Sequence, residues 1–455
     1  MFIKGDEKLS EKSENYIDES SSPRIVEAPR YGCTLSGAYE AAVGLNEGVP
    51  ILHSGSGCGM SQLFGANYGG AQNAPGDYGG SSTPCSCLVE EHVIFGGEDK
   101  LRKLIDSTIK ISTGEFFTVI SGCVPSLIGD DVDAIVNEFR DKAPIIHVNA
   151  PGFKGNSFEG YELFFEALVD QYLKSSNKKE KKLINILGIV PFQHIFWKGE
   201  LRAIKELLEK LDIEANVIFG EFDTVEKIQK IPSAAYNIVL SPWIGHRAAR
   251  KLEKEFDTPY ISFPGIPTGP IQTTKFLRKL AEILPINKKK LEDLIKEGER
   301  RAYRTIEYAG DILQFDVPNV YFGVVADSNT ALSITRYLTD EVGQLPDIVI
   351  ITDNPPEEYR EGIINAITSS EEIQFTPDII FEIDSFKISQ LLKDRPFLNL
   401  YASSLESVIK GELETTHVTV SFPSYNRLVL GDNYVGYDGG LNLIQDLFYD
   451  KAGPL

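Results

Sequence analysis

Apolar runs recur along the chain and alternate with amphipathic stretches. The candidate strands are continuously apolar, and they are Phe116–Ser121, Ile145–Asn149, Leu183–Val190, Asn216–Gly220, Asn237–Ser241, Val320–Ala326, Asp347–Thr352, Asp378–Ile383 and Val418–Phe422. Buried parallel strands have this pattern because helices cover both of their faces. Amphipathic stretches such as Glu200–Leu211 and Thr273–Leu284 predict helices between the strands. The alternation predicts an α/β fold of Rossmann-like units, each a parallel sheet flanked by helices.

Two charged stretches divide this alternation. Lys178–Lys182 precedes one new strand, and a helical stretch of about Lys288–Leu313 precedes another. A chain of 455 residues allows about three domains. We therefore predict a flexible arm followed by three α/β domains, with bounds 1–27, 28–181, 182–316 and 317–455.

The charge excludes several classes of function. Lysine and arginine total 45 against 66 aspartate and glutamate residues, a net charge of −21. Such a chain is not expected to bind nucleic acid or an anionic membrane surface, and it suits basic protein partners. No apolar run is long enough to span a membrane, and the polar N-terminus lacks a secretory signal pattern. We expect a cytoplasmic protein with reduced thiols.

The five cysteines all lie within the first 123 residues. An odd number in a reducing compartment does not predict a disulfide framework. Three of them directly follow a glycine, in the pairs Gly32–Cys33, Gly57–Cys58 and Gly122–Cys123. Glycine allows positive φ and close backbone approach, and the exposed N–H groups can bond to cluster sulfides. The repeated setting favours iron–sulfur ligation over incidental core thiols, and the wide spacing is unlike a structural zinc site.

Cys85 and Cys87 form a separate C-x-C pair after the glycine-rich stretch Gly65–Ser82. They could add metal ligands or form a redox pair. Alternatively, one of them packs inward ahead of a helix that begins near Glu90. Another helix is expected to start near Asp130–Asp131, where acidic residues suit a helix N-terminus.

Several motifs occur in a characteristic order along the chain. They are Cys33-Thr-Leu-Ser-Gly-Ala38, His53-Ser-Gly-Ser-Gly-Cys58, Val93-Ile-Phe-Gly-Gly97, Cys123-Val-Pro-Ser-Leu-Ile-Gly-Asp-Asp131, Pro151-Gly-Phe-Lys-Gly155 and Val435-Gly-Tyr-Asp-Gly-Gly440. This set resembles the nitrogenase component 1 family, which includes dinitrogenase subunits, cofactor-assembly scaffolds and nitrogenase-like reductases. The resemblance implies three α/β domains around a central cleft.

The resemblance also implies a site and partners. Cys33, Cys58 and Cys123 match the cysteines that bind an interfacial iron–sulfur cluster, which is an eight-iron P-cluster or a [4Fe-4S] cluster. The cluster is shared with an α-type subunit, in an α2β2 assembly. An ATP-dependent iron–sulfur reductase, the iron protein, docks nearby on a surface that includes Ile128–Asp131. Some β subunits add a serine ligand, and the matching position here is Gly152.

The chain resembles the β-type subunit rather than the catalytic α type. It has no cysteine after Cys123, and His246 and His417 are weak candidates for a cofactor ligand. The tail from Ser421 to Gly440 resembles the β-type ending. The implied function is that of an oxidoreductase subunit, which relays electrons through the shared cluster to a substrate site in the α-type partner.

Three alternatives stay open at this stage. The chain could be a scaffold subunit for cofactor assembly, or a non-catalytic α/β protein with incidental cysteines. The glycine-rich stretch and the Cys85/Cys87 pair fit a nitrogenase-like reductase with a substrate other than dinitrogen at least as well. Neither the substrate, nor the size of the cluster, nor a hetero- rather than homo-oligomer follows from the sequence.

Overall fold

The computed structural model describes residues 26, 28–70, 83–176, 178–220, 225–311, 321–369, 376–409 and 415–452. These residues form three parallel β-sheets flanked by helices, which confirms the predicted fold class. The predicted arm over residues 1–27 lies outside the described residues except for Val26. Of the glycine-rich stretch 65–82, residues 71–82 also lie outside them, and its first residues continue a helix.

The first sheet has three strands in the order β1-β2-β3. Its strands are β1 (Gly48–His53), β2 (Phe116–Ser121) and β3 (Ile145–Asn149). Its helices are α1 (Thr34–Gly44), α2 (Ser56–Asn67), α3 (Glu90–Phe95), α4 (Glu98–Ile111), α5 (Cys123–Ile128), α6 (Val132–Asn137) and α7 (Ser157–Gln171), with a 3₁₀ turn at Gly152–Lys154. Every residue of β1 and β2 is buried, which explains their continuous apolar pattern. The prediction missed β1.

The second sheet has the order β5-β4-β6-β7. Its strands are β4 (Glu180–Leu187), β5 (Glu214–Asn216), β6 (Ala234–Leu240) and β7 (Tyr260–Phe263). Its helices are α8 (Trp197–Glu209), α9 (Val225–Lys230), α10 (His246–Phe256), α11 (Gly269–Ile283) and α12 (Lys288–Tyr308), with a 3₁₀ turn at Ile231–Ser233. The strand predicted over 216–220 was misplaced, since β5 ends at Asn216 and the apolar residues after it pack in a buried turn.

The third sheet has the order β10-β9-β8-β11-β12. Its strands are β8 (Tyr321–Ala326), β9 (Leu345–Ile351), β10 (Asp378–Phe381), β11 (Asn399–Ala402) and β12 (Thr416–Thr419). Its helices are α13 (Ser328–Tyr337), α14 (Glu357–Thr368), α15 (Ser385–Leu391) and α16 (Gly436–Ala452), with a π turn at Leu338–Val342 and a 3₁₀ turn at Glu406–Ile409. The prediction missed β11, a buried strand of only four residues.

The three sheets share one continuous apolar core. Buried residues of all three belong to it, for example Ile120, Ile184 and Val324. The strands of each sheet fall into successive parts of the chain, but nothing tests the predicted domain bounds, which stay predictions. Within the described residues, no helix is both long and apolar enough to cross a membrane.

Helices α1 and α7 cross with their backbones in contact. A Cβ atom added to Gly37 would lie 1.6 Å from the Ser157 carbonyl oxygen, and one added to Gly160 would lie 2.1 Å from the Thr34 carbonyl oxygen. Both positions therefore require glycine. Since Cys33 is the N-cap residue of α1, this crossing fixes where Cys33 lies.

Candidate functional site

The three predicted cysteine ligands lie on loops and helix starts around the first sheet. Cys58 is in the first turn of α2, which follows β1, and Cys123 is the first residue of α5, which follows β2. The turn around Gly152 follows β3. Because β1, β2 and β3 are parallel, their carboxyl ends meet at one edge of the sheet. We call this edge the cysteine edge.

Cys33 and Cys123 meet at Gly152. The Gly152 N–H donates a hydrogen bond to Cys123 Sγ over 3.1 Å. A Cβ atom at Gly152 would lie 3.1 Å from Cys33 Sγ and 3.3 Å from Cys123 Sγ. Both thiols thus pack against the bare α-carbon of Gly152, and any side chain there would crowd them.

Cys85 lies near Cys58. Residues 84–88 run beside the end of β1, because Leu52 N–H donates to the Pro84 carbonyl (2.8 Å) and Ser86 N–H donates to the Leu52 carbonyl (2.9 Å). A Cβ atom at Gly59 would lie 3.7 Å from Cys85 Sγ. Burial is the main cause that raises the pKa of the Cys85 thiol to about 11; the hydrogen bond from the Cys87 N–H opposes it, and the nearby Cys87 and Cys58 thiols add to it.

The C-x-C pair is therefore divided between two environments. Cys85 is half-buried, whereas Cys87 is exposed and has a positive φ of 47°. The Cys87 N–H donates to Cys85 Sγ over 3.4 Å. Cys85 is thus the more buried of the two, and all five cysteines are free thiols.

The three predicted glycines matter because they lack a side chain, and not because they adopt a positive φ. Gly32, Gly57 and Gly122 are not among the described glycines with positive φ, so that part of the expectation was wrong. A Cβ atom at Gly32 would lie 2.4 Å from Ser36 Oγ, and one at Gly122 would lie 2.5 Å from Ser54 Oγ. Gly57 has no atom within 4 Å of its Cβ position and leaves open space beside Cys58.

Asp130 joins three of the sequence motifs. Its carboxylate accepts the Gly97 N–H at 3.1 Å and the His53 Nε2–H at 3.0 Å. His53 is fully buried, and burial lowers its pKa below the ordinary value. His53 and Asp130 occur in separate motifs 77 residues apart, so no local pattern predicts their hydrogen bond. Their hydrogen bonds hold these motifs together in the folded chain.

Asp131 plays the predicted role at a helix N-terminus. Its side chain accepts the Ala134 N–H at 3.0 Å and caps α6. The residue between Ile128 and Asp130, Gly129, has φ of 81° and ends α5. Cys123 itself opens α5, a short helix that the prediction did not include.

Large apolar side chains are exposed along the cysteine edge. They occur on α2, on α3, on α5 and beside Gly152, and they are Met60, Val93, Ile94, Phe95, Leu127 and Phe153. Phe95 is 82% exposed and Leu127 is 74% exposed. Exposed apolar patches of this kind mark interaction surfaces. We call these six residues the apolar rim.

The two histidines considered as cofactor ligands have structural contacts. His246 is buried, which lowers its pKa to about 4, and its Nε2 lies 3.3 Å from the Ser241 carbonyl oxygen. His417 Nε2 lies 2.9 Å from the Ser403 carbonyl oxygen. In the part of the chain that the structure describes, no three His, Cys, Asp or Glu side chains are grouped to hold a single metal ion.

A small cavity lies where the second and third sheets meet. Its volume is about 10 Å³, and Phe158, His194, Asp327 and Asp353 are among the residues that line it. A cavity of this size holds about one water molecule. This cavity therefore has no room for a bulky cofactor.

The fold and the cysteine edge define a parallel α/β protein with three sheets and with thiols clustered at the edge of the first sheet. The sequence matches the family model described as nitrogenase component 1 type oxidoreductase over residues 33–449. The chain belongs to this family, and the resemblance inferred from the motifs is confirmed.

Individual relatives agree with this membership. The chain is 22% identical over 444 residues to the nitrogenase vanadium-iron protein beta chain of Trichormus variabilis, and the match covers 90% of each chain. It is 27% identical over 387 residues to the nitrogenase iron-molybdenum cofactor biosynthesis protein NifE of Methanococcus maripaludis, covering 80% of this chain and 76% of the relative. A solved structure titled "Nitrogenase Cp1 at pH 6.5" shares the fold, with a TM-score of 0.78, 20% identity and coverage of 96% and 94%.

Proposed function

We propose that this chain is the β-type subunit of a nitrogenase-type reductase, and that it binds half of an iron–sulfur cluster at an interface with an α-type subunit. The observation that carries the proposal is the cysteine edge. Thiols from three separate loops reach one edge of the first sheet, and the apolar rim lies on helices and turns of the same edge. The match to a nitrogenase beta chain over nine-tenths of both chains supports the β type.

The residues present fit such a cluster. Thiols are the usual ligands of iron–sulfur clusters, and each iron takes its own ligand, so the thiols need not converge on one point. Cys33 and Cys123 lie together against Gly152, where the missing side chain leaves their sulfur atoms uncrowded. The Gly152 N–H already donates to Cys123 Sγ. Hydrogen bonds of this kind tune the reduction potential of a bound cluster.

When bound, an iron–sulfur cluster supplies one-electron transfer. The chain's own contribution is to hold the thiols in place and to exclude water. Asp130 fixes the turn after Cys123 to the loop after Phe95 through the Gly97 N–H. The apolar rim would be covered by the α-type subunit and by a docking reductase, which would keep water from the thiols.

The substrate site belongs to the α-type partner in this proposal. The chain has no cysteine after Cys123. His246 and His417 bond to backbone carbonyls, and the junction of the second and third sheets has a cavity of about 10 Å³. We therefore place no substrate-reducing cofactor in this chain. The substrate itself stays open.

The test is co-expression with the α-type subunit and anaerobic purification, followed by iron analysis and EPR. The wild-type complex should contain iron and show a cluster signal, and Cys58→Ala should lose much of both. Cys87→Ala, which changes an exposed cysteine close by, is the matched control and should keep both. Less than about one iron per wild-type chain would refute the proposal.

A scaffold for cofactor assembly is the second candidate. The observation that favours it is the 27% identity to NifE, which is higher than the 22% identity to the beta chain, though over a shorter match. A scaffold would transfer its cluster to an apo-enzyme and show no sustained ATP-coupled substrate reduction. A reductase subunit would support continuous turnover when the α-type subunit and the iron protein are added.

A further inference from the structure

Cys85 has features that its neighbour Cys87 lacks. Its thiol is half-buried and lies 3.8 Å from the Ser54 carbonyl oxygen and 3.9 Å from the Gly55 carbonyl oxygen, just before α2. A Cβ atom added to Gly59, in the first turn of α2, would lie 3.7 Å from this sulfur. Cys58, the preceding residue, is near enough to interact electrostatically with the Cys85 thiol. Because Gly59 has no side chain, the space between α2 and the Cys85 sulfur stays free.

The backbone around Cys85 is held firmly. Three hydrogen bonds tie residues 84–88 to β1 and the residue after it, the third from the Leu88 N–H to the Ser54 carbonyl at 2.9 Å. The segment acts as an added edge strand of the first sheet. Cys85 is therefore positioned by the same sheet that positions Cys58 and Cys123.

A strained residue directs an N–H group at the Cys85 sulfur. Cys87 has φ of 47°, a left-handed conformation that is unfavourable for a residue with a side chain. In this conformation its N–H donates to Cys85 Sγ over 3.4 Å. The Lys100 ammonium holds the Cys87 carbonyl at 2.9 Å. The same type of bond, from N–H to sulfur, joins Gly152 to Cys123.

The thiols of the cysteine edge thus form two pairs. Cys33 and Cys123 pack against Gly152, and Cys58 and Cys85 lie beside Gly59. Each pair contains one sulfur that accepts a backbone N–H, which is how cluster-bound thiolates are stabilised. Cys87 belongs to neither pair.

We infer that Cys85 is a fourth thiolate ligand of the iron–sulfur cluster, bound on the same side as Cys58. This inference rests on the proposed function. On binding, the Cys85 S–H bond breaks, its proton passes to solvent, and a sulfur–iron bond forms without change of oxidation state. Cys87 supplies the N–H bond to that sulfur and does not bind iron.

The first test uses differential alkylation of the wild-type complex under anaerobic conditions. Iodoacetamide labelling with mass spectrometry is run before and after iron is removed by a chelator. A metal-bound thiolate is not free to react. Cys85 should therefore react at least about tenfold more slowly in the iron-loaded complex than in the iron-depleted one. Cys87 should show no such difference. Equal Cys85 labelling in the two states would overturn the inference.

The second test compares Cys85→Ser with Cys87→Ser, which keeps the backbone N–H. Both changes are nearly isosteric, so folding should survive. In Cys85→Ser an oxygen replaces one sulfur ligand, and we expect a changed EPR signal and a shifted midpoint potential with most iron retained. Cys87→Ser should match the wild type. Identical spectra for the two variants and the wild type would sink the inference and leave the proposed function standing, whereas a wild-type complex without iron would refute the proposed function itself.

Discussion

Replacing Gly37 with alanine should damage both stability and the cysteine edge. Gly37 lies where α1 crosses α7, and an added Cβ atom would be 1.6 Å from the Ser157 carbonyl oxygen. Real Cβ atoms essentially never approach within 3.0 Å, so the two helices must separate by at least 1.4 Å. Every residue of α1 is buried, and the helix has no free direction in which to move.

The energetic cost follows from overpacking. Added carbon atoms in a packed core cost typically 1–3 kcal/mol, and the size of this clash places Gly37→Ala at about 3 kcal/mol or more. At roughly 2 °C per kcal/mol for a large chain, the melting temperature should fall by about 6 °C.

The geometric cost falls on Cys33. A movement of α1 carries this residue, its N-cap, by a similar distance. Metal–ligand distances tolerate only about 0.2 Å, which is far less than the displacement. We therefore expect the variant to lose iron even at temperatures where it stays folded.

Thermal unfolding and iron analysis of the anaerobically purified complex measure the two effects. Gly310→Ala is the control, because nothing lies within 4 Å of its Cβ position. If Gly37→Ala melts with the wild type and holds as much iron, the close crossing of α1 and α7 does not position Cys33.

Three further predictions concern buried charges, and thermal or denaturant unfolding checks each of them. Asp130→Ala leaves two buried donors without an acceptor and should lower the free energy of unfolding by about 3 kcal/mol. Asp131→Ala removes only a helix cap and should lower it by about 1 kcal/mol. Equal losses in the two variants would contradict this prediction. Arg30→Met leaves Glu406 buried and uncompensated, at a cost of about 3 kcal/mol near neutral pH. Burial raises the pKa of Glu406, but Arg30 outweighs this effect and holds that pKa below 4.5. The stability that Glu406 contributes to the wild type should therefore be full above pH 4.5 and be lost as the pH falls, so the advantage over Arg30→Met should shrink in acid; an advantage independent of pH would argue against the pair. Burial raises the pKa of Glu40 from 4.5 to about 8, so the stability of the wild type should decline as the pH rises through this range. Glu40→Gln should therefore be more stable than the wild type above pH 8 but not below pH 4.5.

Long buried elements were predictable because their pattern is local. The continuous apolar run of β2 and the amphipathic pattern of α8 each reflect burial along a single element. Length alone does not explain the strands that were missed: β7 and β11 have four residues each and were missed, but β10 has the same length and was predicted. The strand β1 was also missed, although it has six residues and is fully buried. The strand near Asn216 was misplaced because buried turns and buried strands are equally apolar.

The sequence by itself determined the class of fold, the family and the three Gly–Cys positions, because motifs and apolar runs are local patterns that can be recognised along the chain. It left Cys85 and Cys87 equivalent. Only the tertiary structure separated them, since the pairing of residues 84–88 with β1 turns one thiol inward and the other outward. The meeting of Cys33 with Cys123 at Gly152, and of His53 with Asp130, likewise depends on contacts between residues far apart in sequence. Such contacts arise from packing between elements, which no local pattern encodes.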